Sequence, residues 1–174
     1  MRSRFGLAVV VLVALSGCGG GGDGDKPSTT PAQAPPASAQ GKAVDDWARA
    51  AQAYWDDFRN CGSRVTPVRG FFSSCTKKTS RELRRGEDRV LRELDRSKTA
   101  ACKRVQDRLR GVIARTGAAL ERAVQAFDRS NDASLSHRKY RGTPPQQLYL
   151  VGAAALEGDV PAARTLSRTI DKGC

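Results

Sequence analysis

Arg81, Arg85, Arg89, Arg92 and Arg96 recur at spacings of 4, 4, 3 and 4. On a helix this sets five guanidinium groups on one face. Planar guanidinium forks match the oxygens of phosphate and carboxylate groups, so these five are the candidate anion-binding residues. Lys103 and Arg110 extend the stripe if the helix continues, and Arg84, Arg104, Arg108 and Arg115 widen it. Internal pairing competes. Asp88–Arg92 is spaced i,i+4, while Glu82–Arg85, Glu93–Arg96, Asp95–Lys98 and Asp107–Arg110 are spaced i,i+3. Such pairs contribute only about a few tenths of a kcal/mol each. They leave an excess of arginine, so a solvated, partly paired face and an anion-binding face both fit. Residues 77–126 contain no aromatic side chain. Base stacking therefore lacks a platform, and nucleic acid is not an expected partner.

Other chemistry is poorly supplied. A Ser-His-Asp arrangement would need His137, the single histidine, which lies among Arg138, Lys139 and Arg141. Their positive field opposes an imidazolium intermediate. Ser134 and Ser136 are sequence neighbours of His137, which does not make a triad. Asp45-Asp46 and Asp56-Asp57 are paired carboxylates, but adjacent helix positions point apart, whereas acid–base catalysis needs two carboxyls facing one cleft. There is no G-x-x-x-x-G-K-[ST], H-E-x-x-H, G-x-S-x-G or C-x-x-C pattern. We expect no catalytic residues, no metal and no cofactor.

The N-terminus carries Arg2 and Arg4, then an uncharged apolar run from Phe5 to Leu15. That run is shorter than the roughly 20 residues needed to span a bilayer. With small residues following, it has the form of a signal peptide. The sequence Leu15-Ser16-Gly17-Cys18 resembles the lipobox of bacterial lipoproteins. The resemblance covers the first 18 residues. It implies that residues 1–17 are removed and that Cys18 is lipidated at its thiol. It also implies export and anchoring to the bacterial cell membrane or outer membrane. Two acyl chains give a stable anchor where one binds only marginally.

With Cys18 assigned to lipid, Cys61, Cys75, Cys102 and Cys174 remain. An even number in an exported domain implies two disulfides with three possible pairings. If the first helix packs back along the second, Cys61 meets Cys75 across their connecting loop. Cys102 is then left for Cys174, so the preferred pairs are Cys61–Cys75 and Cys102–Cys174.

The elements that must position these residues follow from composition and period. Residues 18–41 are rich in Gly, Pro, Ala and Ser and read as a flexible tether, with a reach of roughly 25–30 Å. Residues 42–174 are left for one α-helical domain. Val44, Trp47, Ala51, Tyr54, Trp55 and Phe58 mark an amphipathic helix over 43–60, with Asp45 and Asp46 in its first turn and Gly62 beyond its end. The aromatic stripe reads as core. Residues 62–76 form a loop whose Phe71-Phe72 plugs the base of the helices. Thr79-x-x-Glu82 reads as a capping box opening a second helix. Its apolar period continues to Phe127, either as one long, bent helix, which we favour, or as two helices broken near Asp95–Lys98. Gly86, Gly111 and Gly117 weaken it by about 1 kcal/mol each. Residues 130–143 read as a polar loop. Thr143-Pro144-Pro145 then opens a helix ending near Leu156 or Glu157, and Asp159 caps another from Val160 to Asp171. Ala153 to Asp159, followed by Ala162-Ala163-Arg164-x-Leu166, resembles the middle of a tetratricopeptide-type helix pair. That resemblance covers a single unit, where an array needs about three.

No segment alternates as a strand does. The fold class is all-α, a disulfide-stapled helical bundle or hairpin with one long basic helix behind a disordered tether. The net charge of +12 is concentrated in residues 77–115, which hold 14 basic and 6 acidic side chains. Such a field favours anionic partners. The expected function is that of a membrane-anchored, non-catalytic envelope module contacting anionic phospholipid or wall polymer. The alternative is a protein-interaction module, an inhibitor or assembly factor, using the C-terminal helix pair or the aromatic helix.

Overall fold

Ser38 opens the first helix. Its hydroxyl accepts the Gly41 N–H at 2.9 Å and donates to Asp171 at 2.6 Å, at the far end of the sequence. The structure, a computed structural model, describes residues 38–63, 68–96 and 100–174. These residues form five α-helices: α1 (Ala39–Gly62), α2 (Phe71–Cys75), α3 (Lys77–Arg96), α4 (Lys103–Leu135) and α5 (Pro145–Asp171). A 3₁₀ turn, Ala100–Cys102, leads into α4. There is no strand among the described residues, and the fold is all-α.

The four long helices run up, down, up and down. α1 packs on α3 and α5, and α4 packs on α5. Cross-links set the directions. Arg89 on α3 reaches back to Asp46 on α1, Arg110 on α4 reaches Asp95 at the end of α3, and Ser38 meets Asp171. Each helix contributes one stripe to a shared core. Trp47, Leu83, Val90, Leu94, Leu109, Ile113, Leu120 and Val124 are all fully or almost fully buried there.

Two disulfides staple the bundle at opposite ends. Cys61 is joined to Cys75, with Cα atoms 6.3 Å apart, and Cys102 to Cys174, at 5.3 Å. Both are the pairs preferred from the sequence. At the second, α5 ends in a Schellman arrangement. Gly173 (φ 83°) donates to the Ile170 carbonyl and Cys174 to that of Thr169, which turns Cys174 back toward Cys102.

Several expectations change. α1 begins at Ala39, so residues 39–41 belong to the helix and not to the tether, because Ser38 caps it and Gln40 is buried. At its other end α1 runs through Gly62 to a cap at Ser63. The long period over 79–129 is two helices, not one. A single helix of 51 residues would be roughly 75 Å long at 1.5 Å per residue, while α1 and α5 reach about half of that. Only by folding back does the second half of the stripe find partners. Thr79 is no capping residue. α3 starts two residues earlier, and the Thr79 hydroxyl lies 3.0 Å from Asp57 Oδ2 and 3.1 Å from the Thr76 carbonyl. α4 runs on to Leu135, six residues into the expected loop. Thr143 is likewise not a cap, that position being Pro144.

The expected helix pair at the C-terminus is one continuous helix through Gly158 and Pro161. Its buried residues explain this. Gly152, Leu156, Ala163, Ser167 and Ile170 form one unbroken stripe against the core. Leu156 and Ala163, seven residues apart, hold the same face across the Gly-Pro region. Asp159 turns sideways to α4, where it pairs with Arg115 at 3.2 Å and accepts from the Thr116 hydroxyl at 3.1 Å.

Aromatics from four helices gather at the α2 end. Ring centroids lie 5.2 Å apart for Phe58–Phe127, 5.6 Å for Phe58–Phe72 and 4.8 Å for Trp55–Tyr149. Trp47, Trp55 and Phe58 are therefore core.

Candidate functional site

α3 buries Thr79, Leu83, Gly86, Val90 and Leu94. At 100° per residue, Arg81, Arg85, Arg89, Arg92 and Arg96 fall on the opposite side, and all five are exposed. The fold divides them. Arg89 pairs with Asp46 at 2.9 Å, and Arg96 with Glu93 at 2.6 Å. Among the described residues, Arg81, Arg85 and Arg92 have no carboxylate within ion-pair distance. The expected Asp88–Arg92 and Glu82–Arg85 pairs are thus not formed. Arg110 takes Asp95 at 2.7 Å in place of Asp107, and Lys98 lies outside the described residues. Because the chain reverses between α3 and α4, Lys103 and Arg110 do not extend the α3 face. Arg84 leaves it for Glu121 on α4, at 2.9 Å.

The paired aspartates separate as adjacent helix residues must. Asp45 reaches Arg164 on α5 at 2.9 Å. Asp46 is held by Lys42 at 3.1 Å, by Arg49 and by Arg89. The hydrogen bond from Lys42, with the positive charges of Lys42, Arg49 and Arg89, keeps the Asp46 carboxyl below its ordinary range against the opposing effect of burial. These carboxylates tie α1 to its neighbours. Asp56 accepts from Gln52, and Asp57 from Thr79.

His137 has a backbone role. It stands in the left-handed region (φ 52°) just past the end of α4. Its N–H donates to the Ser134 carbonyl at 3.0 Å, and that of Arg138 to Ala133 at 2.8 Å. This Schellman stop throws Arg138 and the residues after it off the helix axis.

A second basic feature, which the periodicity did not single out, lies at this end of the bundle. A cavity of about 520 Å³ is lined by Arg69, Arg129, Arg138, Lys139 and Arg141, with Asp132 as its one carboxylate. Its cations come from three separate segments, so no window of sequence shows them together. The only legible signal was the run Arg138-Lys139-x-Arg141. A smaller cleft of about 260 Å³, lined in part by Tyr54, Lys77, Arg81 and Arg84, lies between α1, α3 and α4. Burial pushes the Tyr54 phenol up to about 12, outweighing a hydrogen bond with Thr76 that acts in the opposite direction.

Cys18, the expected signal peptide and the expected tether up to residue 37 lie outside the described residues. No helix among the described residues is long and apolar enough to cross a membrane. Nor does any group of His, Cys, Asp and Glu among them have the arrangement of a metal site.

The fold and these surfaces define a class: a disulfide-stapled, up-and-down helical bundle with a basic exterior. Compared with known proteins, the chain matches no family model, and no curated protein or solved structure is significantly similar to it.

Proposed function

We propose that the chain is an exported lipoprotein, anchored through lipid on Cys18, whose helical domain is a non-catalytic envelope module contacting anionic phospholipid or wall polymer. The observation that carries this reading is the outer ridge of α3. Arg85 and Arg92 stand exposed along it, with Arg81 at its edge where it also lines the smaller cleft, and none of the three has a carboxylate within ion-pair distance among the described residues, on a chain of net charge +12. Exposed charges on a convex ridge act over roughly one Debye length, about 8–10 Å at physiological salt, which suits a surface more than an enclosed ligand. Two disulfides suit an oxidising compartment outside the cytoplasm. The lipobox-like Leu15-Ser16-Gly17-Cys18 supplies the anchor.

The test has two readouts on the full chain in bacteria and in purified form. Radiolabelled palmitate should enter the wild type and not Cys18→Ser. Co-sedimentation with phosphatidylglycerol vesicles should fall as salt rises, and should weaken when Arg81, Arg85 and Arg92 are all changed to Glu. Vesicle binding indifferent to salt and to that triple change would sink the ridge. A second reading, a protein-interaction module, is favoured by Leu150 and Val151 on α5, which are 66% and 45% exposed. A stable partner lost on Leu150→Ser with Val151→Ser, with the α3 ridge intact, would support it.

A further inference from the structure

The basin at the α2 end of the bundle is built differently from the ridge. Arg69 comes from the turn before α2, Arg129 from α4, and Arg138, Lys139 and Arg141 from the segment joining α4 to α5. Folding has brought five cations from three places onto one concavity. Like charges gathered in this way repel, and a concave wall of one sign concentrates anions from solution. The internal compensation is small. Among the described residues, none of the five has a carboxylate within ion-pair distance. Asp132, the acid of the lining, accepts the Gly70 N–H at 3.2 Å.

The wall is also held in place. Arg69 donates to Ser136 Oγ at 3.2 Å, and Asn131 donates to the Val68 carbonyl at 3.0 Å. Together with the Asp132–Gly70 bond, these lash the 68–70 turn to the last turns of α4. The left-handed His137 and the Arg138–Ala133 bond fix where the joining segment departs. Tyr140 donates to the Thr143 carbonyl at 2.9 Å and folds that segment over Gly142. The cations thus project from a braced frame, which lowers the ordering cost of binding.

Size and charge indicate the ligand. The volume of about 520 Å³ lies within the range of roughly 300–1,000 Å³ typical of small-molecule sites and exceeds what a single inorganic anion fills. Four of the five cations are guanidinium groups, whose forks take phosphate oxygens two at a time. We propose that this basin binds a ligand bearing two or more linked or neighbouring phosphate groups. The site uses none of the arginines of the α3 ridge. It lies beyond the end of α1, roughly 36 Å from Ser38 along a helix of 24 residues.

The experiment titrates the disulfide-bonded full chain with tripolyphosphate by calorimetry, with orthophosphate and phosphatidylglycerol vesicles as parallel arms. Saturable one-to-one binding of tripolyphosphate, clearly tighter than orthophosphate, is expected. Arg138→Ser with Arg141→Ser should weaken it by about tenfold or more, as the loss of charge-assisted hydrogen bonds requires. Arg85→Ser with Arg92→Ser should leave it unchanged. All four side chains are exposed, so unaltered thermal unfolding of both variants is a built-in check. Equal binding of orthophosphate, equal loss in the ridge variant, or a basin needed for vesicles but not for tripolyphosphate would each overturn the assignment. A negative result here leaves the ridge test untouched, because the two use different residues.

Discussion

The Asp128 carboxylate accepts the Phe72 N–H at 2.7 Å, across 56 positions of chain. Its other oxygen takes the Ser73 N–H at 2.9 Å, and the Ser73 hydroxyl also donates to it. A side chain from α4 therefore terminates the start of α2, whose first-turn N–H groups have no partner within so short a helix. Phe72 is thereby seated among Phe58 and Phe127. Asp128→Ala strands the buried Phe72 N–H and removes the acceptor of the part-buried Ser73 donors, and should cost about 3 kcal/mol. Asp128→Asn, which keeps one acceptor oxygen, should cost less. Urea unfolding of the three proteins checks the order, and equal stability of wild type and Asp128→Ala would refute it.

Glu87, on α3, lies against the backbone of α4 at Gly117. Burial, together with the charges of Glu121 and Asp88, pushes its carboxyl up to about 7, against the pull of Arg84. The folded chain then holds this proton more tightly than the unfolded one, whose value is 4.5. Stability from this group is greatest in acid, declines as pH rises from 4.5 to about 7, and is flat above. Glu87→Gln should remove that decline. Its melting temperature relative to wild type should rise between about pH 5 and pH 8. A difference that is constant with pH would exclude Glu87 as the cause.

Two glycines of α5 should respond in opposite directions to alanine. A Cβ at Gly152 would meet the Trp55 ring at 2.7 and 2.8 Å, and Trp55 is buried and packed on Phe58 and Tyr149. Gly152→Ala should destabilise, since overpacking costs about 1–3 kcal/mol and exceeds the gain in helix propensity. At Gly158 a Cβ meets nothing within 4 Å, so Gly158→Ala should stabilise by about 1 kcal/mol. Denaturant midpoints for the pair settle the matter, and a shared sign would contradict the packing described for α5.

The two disulfides should differ in effect. Cys102–Cys174 spans 72 residues and Cys61–Cys75 spans 14. By loop-closure entropy, replacing the first pair with serine should cost about 4 kcal/mol and the second about 3 kcal/mol. Calorimetric melting of each double variant tests the order. Peptide mapping without reductant should recover these two pairs and no others among the four cysteines.

Much of the bundle is visible in local pattern. Trp47, Tyr54, Trp55 and Phe58 recur at helical period, as do Leu83, Val90 and Leu94, because burial on one side of a helix imposes that period whatever the partner is. The Cys61–Cys75 pair follows from two helices folding back across a short loop. Gly86 and Gly117, by contrast, look like weak points in sequence. In the fold a Cβ at Gly86 would press on the Trp47 backbone of α1, and one at Gly117 would collide with the Glu87 carboxylate of α3.

Sequence alone determined what is set within a few residues: the helical faces and the basic stripe on α3. Tertiary structure decided which charges are neutralised. Arg89 found Asp46, Arg110 found Asp95, and Asp159 left its expected cap for Arg115. It also decided that Arg69, Arg129 and Arg138 share one basin. The physical reason is range. Helix periodicity is a property of neighbours in the chain, while an ion pair or a cavity depends on distances that exist only once α1, α3, α4 and α5 have packed.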